Sequence, residues 1–279
     1  VMLINKTGSC SEDWIGLPAE SAWAVGFRLY QDESDDSSQE LFLFTTLTEN
    51  TTMNVQLGRS ILQGESSSFD SENISALIDW STSSEVNLGI GYEFQGKSKE
   101  LEIDQYVLQL GWTPYPFFYT FQYSNGDVYI FTQKTRNSNN PSIPIRLQSD
   151  VNSQALSIGY LMDSLTLTAR FQHYEYELDL TVLKRRPLLS TLIKPAALTQ
   201  SGLLISEQFS FSVDYPLEGR DLTWHLLSSR SALDNDETFA LQFDWIEHLG
   251  KHSSLFVSLN RSDEEQANWS LGMGLEWSS

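Results

Sequence analysis

Histidine is the residue type in this chain with the widest chemical range, because imidazole can act as a base, an acid or a metal ligand. The four histidines are His173, His225, His248 and His252. The candidate for a histidine with a nucleophile on the same strand is His225, which is followed by Ser228 and Ser229. Proximity along one strand does not place a serine beside the imidazole. His248 and His252 lie near a predicted turn, and a single pair of histidines is weak evidence for a metal site. We therefore expect no enzymatic activity, no bound metal and no cofactor.

A second set of ionisable residues shares a position: each lies on the polar face of a segment in which apolar and polar residues alternate. If the apolar faces meet lipid, the polar faces line the lumen of a barrel, where charges set ion selectivity. The predicted lumen-lining residues are Arg28, Asp79, Glu93, Arg146, Arg170, Asp214, His225, Asp244 and Glu276. Carboxylates predominate, which predicts a mildly acidic lumen. The same groups could instead form a packed network that closes the interior.

The elements that must hold these residues are strands with one apolar face. In the stretch Trp269 to Trp277 the odd positions are apolar, with a Trp at each end, and the even positions are Ser, Gly, Gly and Glu. A tilted strand of about nine to eleven residues crosses the apolar core of a bilayer. Aromatic residues at both ends of the row suit the two membrane–water interfaces. The same row recurs at 106–112, 117–123, 209–215 and 239–245.

Runs of this kind predict an all-β protein, an antiparallel up-and-down transmembrane barrel of about 16 strands, with 14 as the alternative. The higher count needs a short connection at Asn125-Gly126 and a strand at 142–148, although Pro144 cannot donate a ladder hydrogen bond. We include that strand because bacterial single-chain barrels have even strand counts. No stretch is long and apolar enough to predict a transmembrane helix.

This topology divides the chain into an N-terminal periplasmic tail, 1–20, and a barrel, 21–279. Short connections then alternate with longer, acidic ones, as expected for periplasmic turns and outer loops. A long outer loop at 178–206 departs from the pattern because it is apolar and basic. It is predicted either to narrow the mouth by pairing with lumen carboxylates or to dock a partner. Its basic residues are Lys184, Arg185, Arg186 and Lys194.

The ending Ser270-x-Gly272-x-x-Leu275-x-Trp277 resembles the C-terminal signal of Gram-negative outer-membrane β-barrel proteins. In that class a polar residue, a glycine, an apolar residue and a terminal aromatic recur at this spacing. The resemblance implies a bacterial outer-membrane location, contact with lipopolysaccharide, and recognition of Gly272, Leu275 and Trp277 by the barrel-assembly machinery. This chain departs from the pattern because two serines follow the aromatic residue.

Composition further restricts the classes of protein to which this sequence can belong. The 279 residues carry a net charge of −20, and no basic patch is large enough to bind nucleic acid. Cys10 is the only cysteine, so no disulfide can form within the chain. The apolar start Val1–Ile4 is too short for the core of a secretory signal peptide, which leads us to expect the mature form of an exported protein.

Together these features predict an outer-membrane barrel that acts as a pore or an export conduit. A first alternative is a structural anchor or scaffold with a blocked lumen inside a larger envelope complex, docking through 1–20 or 178–205. A second alternative is a soluble β-barrel or sandwich that binds a ligand, with the apolar stripes turned inward. A need for detergent during extraction separates the membrane hypotheses from the soluble one.

Deletion of 178–205 is expected to raise the ion conductance measured in planar lipid bilayers, because the segment is predicted to narrow the mouth of the barrel. Conductance equal to that of the full chain would contradict the predicted constriction.

Overall fold

The computed structural model describes residues 23–32, 36–63, 68–83, 85–97, 101–134, 143–177, 204–232, 235–263 and 268–278. These ranges contain fourteen strands: β1 (Trp23–Asp32), β2 (Ser37–Thr48), β3 (Thr51–Gln63), β4 (Ser68–Ser81), β5 (Val86–Lys97), β6 (Leu101–Trp112), β7 (Phe117–Lys134), β8 (Ile143–Leu161), β9 (Thr166–Tyr176), β10 (Ile205–Leu217), β11 (Arg220–Ser231), β12 (Glu237–His248), β13 (Ser253–Ser262) and β14 (Asn268–Ser278). The described part of the chain holds no helix long and apolar enough to span a membrane. The predicted tail 1–20 and almost all of the predicted loop 178–206 lie outside the described residues.

The fourteen strands form one closed antiparallel barrel in which each strand pairs with its neighbours in sequence. Closure comes from β1 and β14, which pair in continuous register from Ala24 opposite Ser278 to Asp32 opposite Ser270. A closed sheet has no edge, so its backbone groups hydrogen-bond within the sheet, which is the condition for crossing lipid as strands. The prediction of an up-and-down barrel is confirmed.

The outside of the barrel carries a continuous band of apolar side chains. On β14, Leu271 and Met273 are 51% and 53% exposed, and comparable residues occupy the outer face of the other strands. Aromatic side chains border the band near the short turns, including Trp23, Trp80, Trp112, Trp245 and Trp277. A band of this extent is typical of a lipid-facing surface with an aromatic belt. The apolar stripes therefore face outward, opposite to their direction in the soluble alternative.

The strand count is 14, the alternative value, and the preferred count of 16 is wrong. Two pairs of predicted strands are single long strands: β7 contains the predicted turn Asn125-Gly126, and β8 contains all but the outermost residues of the predicted strands 142–148 and 154–162. Gly126 is needed for close approach rather than for a turn, because a Cβ there would meet the backbone of Asp104 on β6. Merging two pairs removes an even number of strands, so the direction of every later strand is unchanged.

We call the end of the barrel with the short connections and the termini the turn end, and the opposite end the loop end. β7 and β8, with 18 and 19 residues, extend beyond the apolar band at the loop end. There the pattern inverts: Val128 and Val151 on the inner face are 1% and 0% exposed, while Asp150 on the outer face is exposed. The outer surface of the barrel is thus suited to lipid at mid-height and to water at the loop end.

Gly126→Val is expected to destabilise the barrel by about 2 kcal/mol or more, because the added side chain overlaps the β6 backbone, which cannot rotate away. The matched control is Gly250→Val, since a Cβ at Gly250 has no atom within 4 Å. Heat-modifiable gel migration and thermal unfolding in detergent measure the effect. Equal stability of the two variants would contradict the close approach of β6 and β7.

Candidate functional site: the barrel lumen

The candidate site is the inner face of the barrel, where polar side chains from alternate strand positions converge. Strand order places β11 to β14, β1 and β2 on one side of the lumen and β4 to β9 across from them. Among the described residues, each side has one buried arginine, Arg28 on β1 and Arg170 on β9, which are 6% and 7% exposed. The two arginine clusters define the chemistry of the lumen at mid-height.

Arg28 lies between two aromatic rings on the inner face. Its guanidinium carbon is 5.0 Å from the ring centre of Phe42 on β2 and 4.4 Å from that of Phe256 on β13. The Phe42 ring lies where the side chain of Gly26 would be, so this glycine is required for the packing. Contact with aromatic faces stabilises a cation by about 0.5–2 kcal/mol and fixes its position.

Carboxylates surround the Arg28 guanidinium. Glu40 is directly opposite Arg28 in the β1–β2 register, and Asp244 and Glu276 also attract it electrostatically. Asp244 is 1% exposed, accepts hydrogen bonds from Gln242 Nε2 at 3.0 and 2.8 Å, and lies 3.4 Å from His225 Nε2. The cluster holds more carboxylates than arginines, so this side of the lumen is acidic.

Arg170 on the other side is hydrogen-bonded to neutral amide side chains. Its Nη2 donates to Gln122 Oε1 and Gln172 Oε1, both at 3.0 Å. Gln172 Nε2 in turn donates to Ser153 Oγ at 3.1 Å, and Ser153 and Ser124 share a hydroxyl hydrogen bond of 2.6 Å. This network connects β7, β8 and β9 and fixes the orientation of both amides.

Two further carboxylates complete this side of the lumen. Asp79 on β4 accepts a hydrogen bond of 3.2 Å from Gln109 Nε2 on β6, with β5 passing between them at Gly89. A Cβ at Gly89 would lie against the Asp79 carboxylate, so the glycine leaves room for this bond. Glu93 on β5 is attracted electrostatically to Arg170.

A hydrogen-bond chain at the turn end joins three strands. His248 Nε2 is 3.1 Å from Asp221 Oδ2 on β11, and His248 Nδ1 is 3.0 Å from Ser254 Oγ on β13. Sequence reasoning missed these hydrogen bonds because it considered His248 only with His252, as a possible metal-binding pair, and did not compare it with residues on the neighbouring strands. Pairing β12 with β13 across the turn 249–252 puts Ser254 opposite His248, and that hairpin register was the signal available in the sequence.

The predicted lumen residues separate into two groups. The inner face of the barrel carries Arg28, Asp79, Glu93, Arg170, Asp214, His225, Asp244 and Glu276. Arg146 lies on β8 opposite Phe131, and its side chain is outside the described residues. The basic residues Lys184, Arg185, Arg186 and Lys194 are also outside them. On β14, Gly272 lies on the inner face, and Leu275 and Trp277 lie on the outer face, 42% and 45% exposed.

The structure separates His225 from one of its candidate nucleophiles. Ser228 is opposite Phe209 and Phe239, whose rings are exposed on the outer face, whereas His225 faces the lumen. Ser229 faces inward and accepts a hydrogen bond from Gln208 Nε2 at 3.4 Å. Within the described ranges, no group of three or more His, Cys, Asp and Glu residues is arranged to hold a metal ion.

Comparison with known proteins finds similarity in structure only. No protein-family model matches the sequence, and no curated protein matches it. Among solved structures, a monoaromatic hydrocarbon channel, CymD, aligns with a TM-score of 0.56 at 9% identity over 93% of this chain and 88% of its own. OmpT of Vibrio cholerae, expressed in the outer membrane, aligns with a TM-score of 0.52 at 8% identity over 94% and 99% of the two chains.

A third structure with the same fold is an anion-selective porin from Comamonas acidovorans, with a TM-score of 0.50 at 9% identity over 92% of this chain and 98% of the porin. These alignments cover nearly the whole chain, and identities this low establish the fold alone. The closed antiparallel barrel with an apolar outer band has the fold of the Gram-negative outer-membrane β-barrel proteins. The class expected from the C-terminal strand is confirmed at the level of fold.

His248→Ala is expected to destabilise the barrel by about 1–2 kcal/mol, because it breaks two hydrogen bonds and leaves the carboxylate of Asp221 without its imidazole partner. His252→Ala is the control, since His252 is exposed and makes one bond, to the backbone oxygen of Ser278. Thermal unfolding in detergent measures both. A larger loss of stability in the His252 variant than in the His248 variant would contradict the stabilising role of the Asp221–His248–Ser254 hydrogen bonds.

Proposed function

We propose that this protein is an outer-membrane channel through which small polar solutes diffuse along a narrow, mildly acidic lumen. The observation that carries the proposal is the division of polarity between the two faces of the barrel. The outer face is apolar, while the inner face at the same height is lined by arginine, glutamine, serine, threonine and carboxylate side chains. A polar lining stabilises water and polar solutes inside a lipid-embedded barrel.

The charges on the inner face favour cations over anions. Among the described residues, carboxylates outnumber arginines there: Glu40, Asp79, Glu93, Asp214, Asp221, Asp244 and Glu276 accompany Arg28 and Arg170. In a narrow, partly desolvated passage such charges act at close range and are weakly screened. The expected result is a channel with moderate cation preference, in which Arg28 reduces the attraction of the acidic side.

A structural scaffold is the second candidate, and one observation favours it. Several inner side chains at mid-height are tightly packed, with Gln122 2% and Asp244 1% exposed. Packing of this kind also suits a barrel whose interior is closed and whose role is to anchor an envelope complex. The two candidates differ in one property, which is whether ions cross the lumen.

The proposal includes no enzymatic role. The Asp221–His248–Ser254 chain has the order carboxylate, imidazole and hydroxyl that activates serine nucleophiles, and this order is necessary but not sufficient for catalysis. A nucleophile also needs donors positioned for the oxyanion. The role that we propose for the Asp221–His248–Ser254 hydrogen bonds is to stabilise the turn end. Labelling of Ser254 by a fluorophosphonate probe would contradict this role.

The partners in this proposal follow from the location in the outer membrane. They are the lipid bilayer with lipopolysaccharide in its outer leaflet, and the barrel-assembly machinery acting on Gly272, Leu275 and Trp277 of the closing strand. An envelope protein could dock through 1–20 or 178–205. The acidic lumen gives no support to a nucleic-acid partner.

Arg28→Met is expected to raise the cation-to-anion permeability ratio by at least about twofold, because it removes one positive charge from the acidic side of the lumen. The reversal potential in a salt gradient across a planar bilayer measures the ratio. Arg261→Met is the matched control: Arg261 lies on the outer face, 5.3 Å from the ring centre of Trp269, and its loss should leave selectivity unchanged. Heat-modifiable migration shows that both variants fold.

Conductance of the folded full chain supports the channel. Folded protein that inserts into the bilayer but conducts no ions would favour the scaffold instead. Equal shifts in reversal potential for the Arg28 and Arg261 variants would contradict the placement of Arg28 in the conducting path.

A further inference from the structure

An open groove lies on the outer face of the barrel near the loop end, across the seam where β1 pairs with β14. Its volume is about 690 Å³. Its apolar side is formed by Leu271 and Met273 of β14, by Leu29 opposite Met273, and by Leu259 opposite Leu271. These four side chains are 42–53% exposed, so a molecule in the surrounding lipid can reach them.

The side of the groove nearer to β2 is polar. Gln31 of β1 is opposite Ser37 of β2, and Gln39 of β2 is opposite Leu29. All three polar residues line the groove, and both glutamines are exposed. A concave site with a mostly apolar lining and a few polar groups suits an amphipathic ligand.

Arg261 lies next to the groove on the side of the loop end. It is opposite Trp269, which lines the groove, and its guanidinium carbon is 5.3 Å from the ring centre of Trp269. Among the described residues Arg261 makes no ion pair, whereas Arg220, also on the outer face, lies 3.7 Å from a carboxylate oxygen of Glu247. The N–H donors of Arg261 are therefore available, and their planar arrangement matches a phosphate group.

The charge of the outer surface differs between the two halves of the loop end. Beyond the apolar band, the outward positions of β6 to β9 carry carboxylates: Asp104, Asp127, Asp150 and Glu175. At the groove, Asp32 occupies an inward position of β1 and accepts a hydrogen bond of 2.9 Å from the backbone N of Asp36. An anionic headgroup is thus repelled by the β6–β9 half and attracted by Arg261 on the other half.

We propose that the groove binds one phosphorylated, acylated sugar lipid of the outer leaflet, the lipid A part of lipopolysaccharide. An acyl chain covers the apolar side, Arg261 binds a phosphate, and Gln31 and Gln39 hydrogen-bond with the sugar. The loop end lies at the outer leaflet because the short turns of such barrels are periplasmic. The site is outside the lumen, so the inference rests on the outer-membrane location and not on conductance.

Native mass spectrometry of the detergent-solubilised full chain, titrated with purified lipids, measures the dissociation constants. The probes are bis-phosphorylated lipid A, the same lipid without its phosphates, and phosphatidylglycerol, an anionic phospholipid. Bis-phosphorylated lipid A is expected to bind at least about tenfold more tightly than either of the others, because it combines phosphates with an acylated sugar.

Arg261→Gln is expected to raise the dissociation constant of bis-phosphorylated lipid A about tenfold, the change that corresponds to the loss of one charge-assisted hydrogen bond. Arg261→Lys, which keeps the charge, should recover part of the affinity. Arg220→Gln is the matched control, because Arg220 also lies over a tryptophan ring, 5.5 Å from the centre of Trp245, but at the turn end. Its dissociation constant should equal that of the unchanged protein.

Ser37→Phe tests the groove itself. The added ring occupies the groove and is expected to raise the dissociation constant of bis-phosphorylated lipid A by about tenfold or more. Ser228→Phe is the matched control, because Ser228 is also on the outer face but lies on β11, away from the groove. Heat-modifiable migration shows that all variants fold.

The outcomes separate this inference from the proposed function. Equal binding of lipid A with and without phosphates, or equal losses in the Arg261 and Arg220 variants, overturns the inference. Equal binding of phosphatidylglycerol and lipid A also overturns it, because the site then takes any anionic lipid. A folded protein that binds lipid A as expected but conducts no ions supports the site and overturns the channel.

Discussion

Satisfaction of backbone hydrogen bonds in lipid is the constraint on which the rest of this structure depends. A strand that crosses a bilayer must find partners for every N–H and C=O group within protein, since the lipid offers none. The pairing of β1 with β14 removes the last two edges and makes the barrel self-sufficient. The cyclic strand order that results also places the Arg28 and Arg170 clusters across the lumen from each other.

The second determinant of the structure is that the two faces of the sheet meet different surroundings. At mid-height the outer face meets lipid and is apolar, while the inner face carries the polar network. Beyond the apolar band, β7 and β8 reverse this order, with Val128 and Val151 inside and Asp150 outside. The reversal marks the height at which the outer surface passes from lipid to water, and it explains why these strands are longer than a membrane crossing requires.

The sequence predicted the barrel and the faces of most strands, because alternation depends on local residue order. The prediction of strand ends failed where residues that are common in turns lie inside a strand. Asn125-Gly126 has the composition of a turn, yet Gly126 lies inside β7 because the β6 backbone approaches it. The inner apolar residues Leu101 and Ile103 were also missed, since they occupy the face opposite to the lipid stripe of the same strand.

Contacts within the site were harder to predict because they join strands that are distant in sequence. Arg170 was expected on the inner face, but its partner Gln122 lies 48 positions earlier, and only the register of β7, β8 and β9 brings the two together. The Asp221–His248–Ser254 chain depends in the same way on two hairpin registers. The residue type predicts the chemistry, and the strand pairing decides which groups meet.

The most direct measurement of the central claim is thiol labelling of two adjacent residues on β7 in lipid vesicles. With Cys10 replaced by serine, Phe121→Cys and Thr120→Cys place single thiols on the outer and inner faces at the same height, and Thr120 is partly exposed. A water-soluble maleimide should label position 120 and not 121, while a lipid-borne quencher should affect only a fluorophore at 121. Labelling of 121 in preference to 120 would contradict the account.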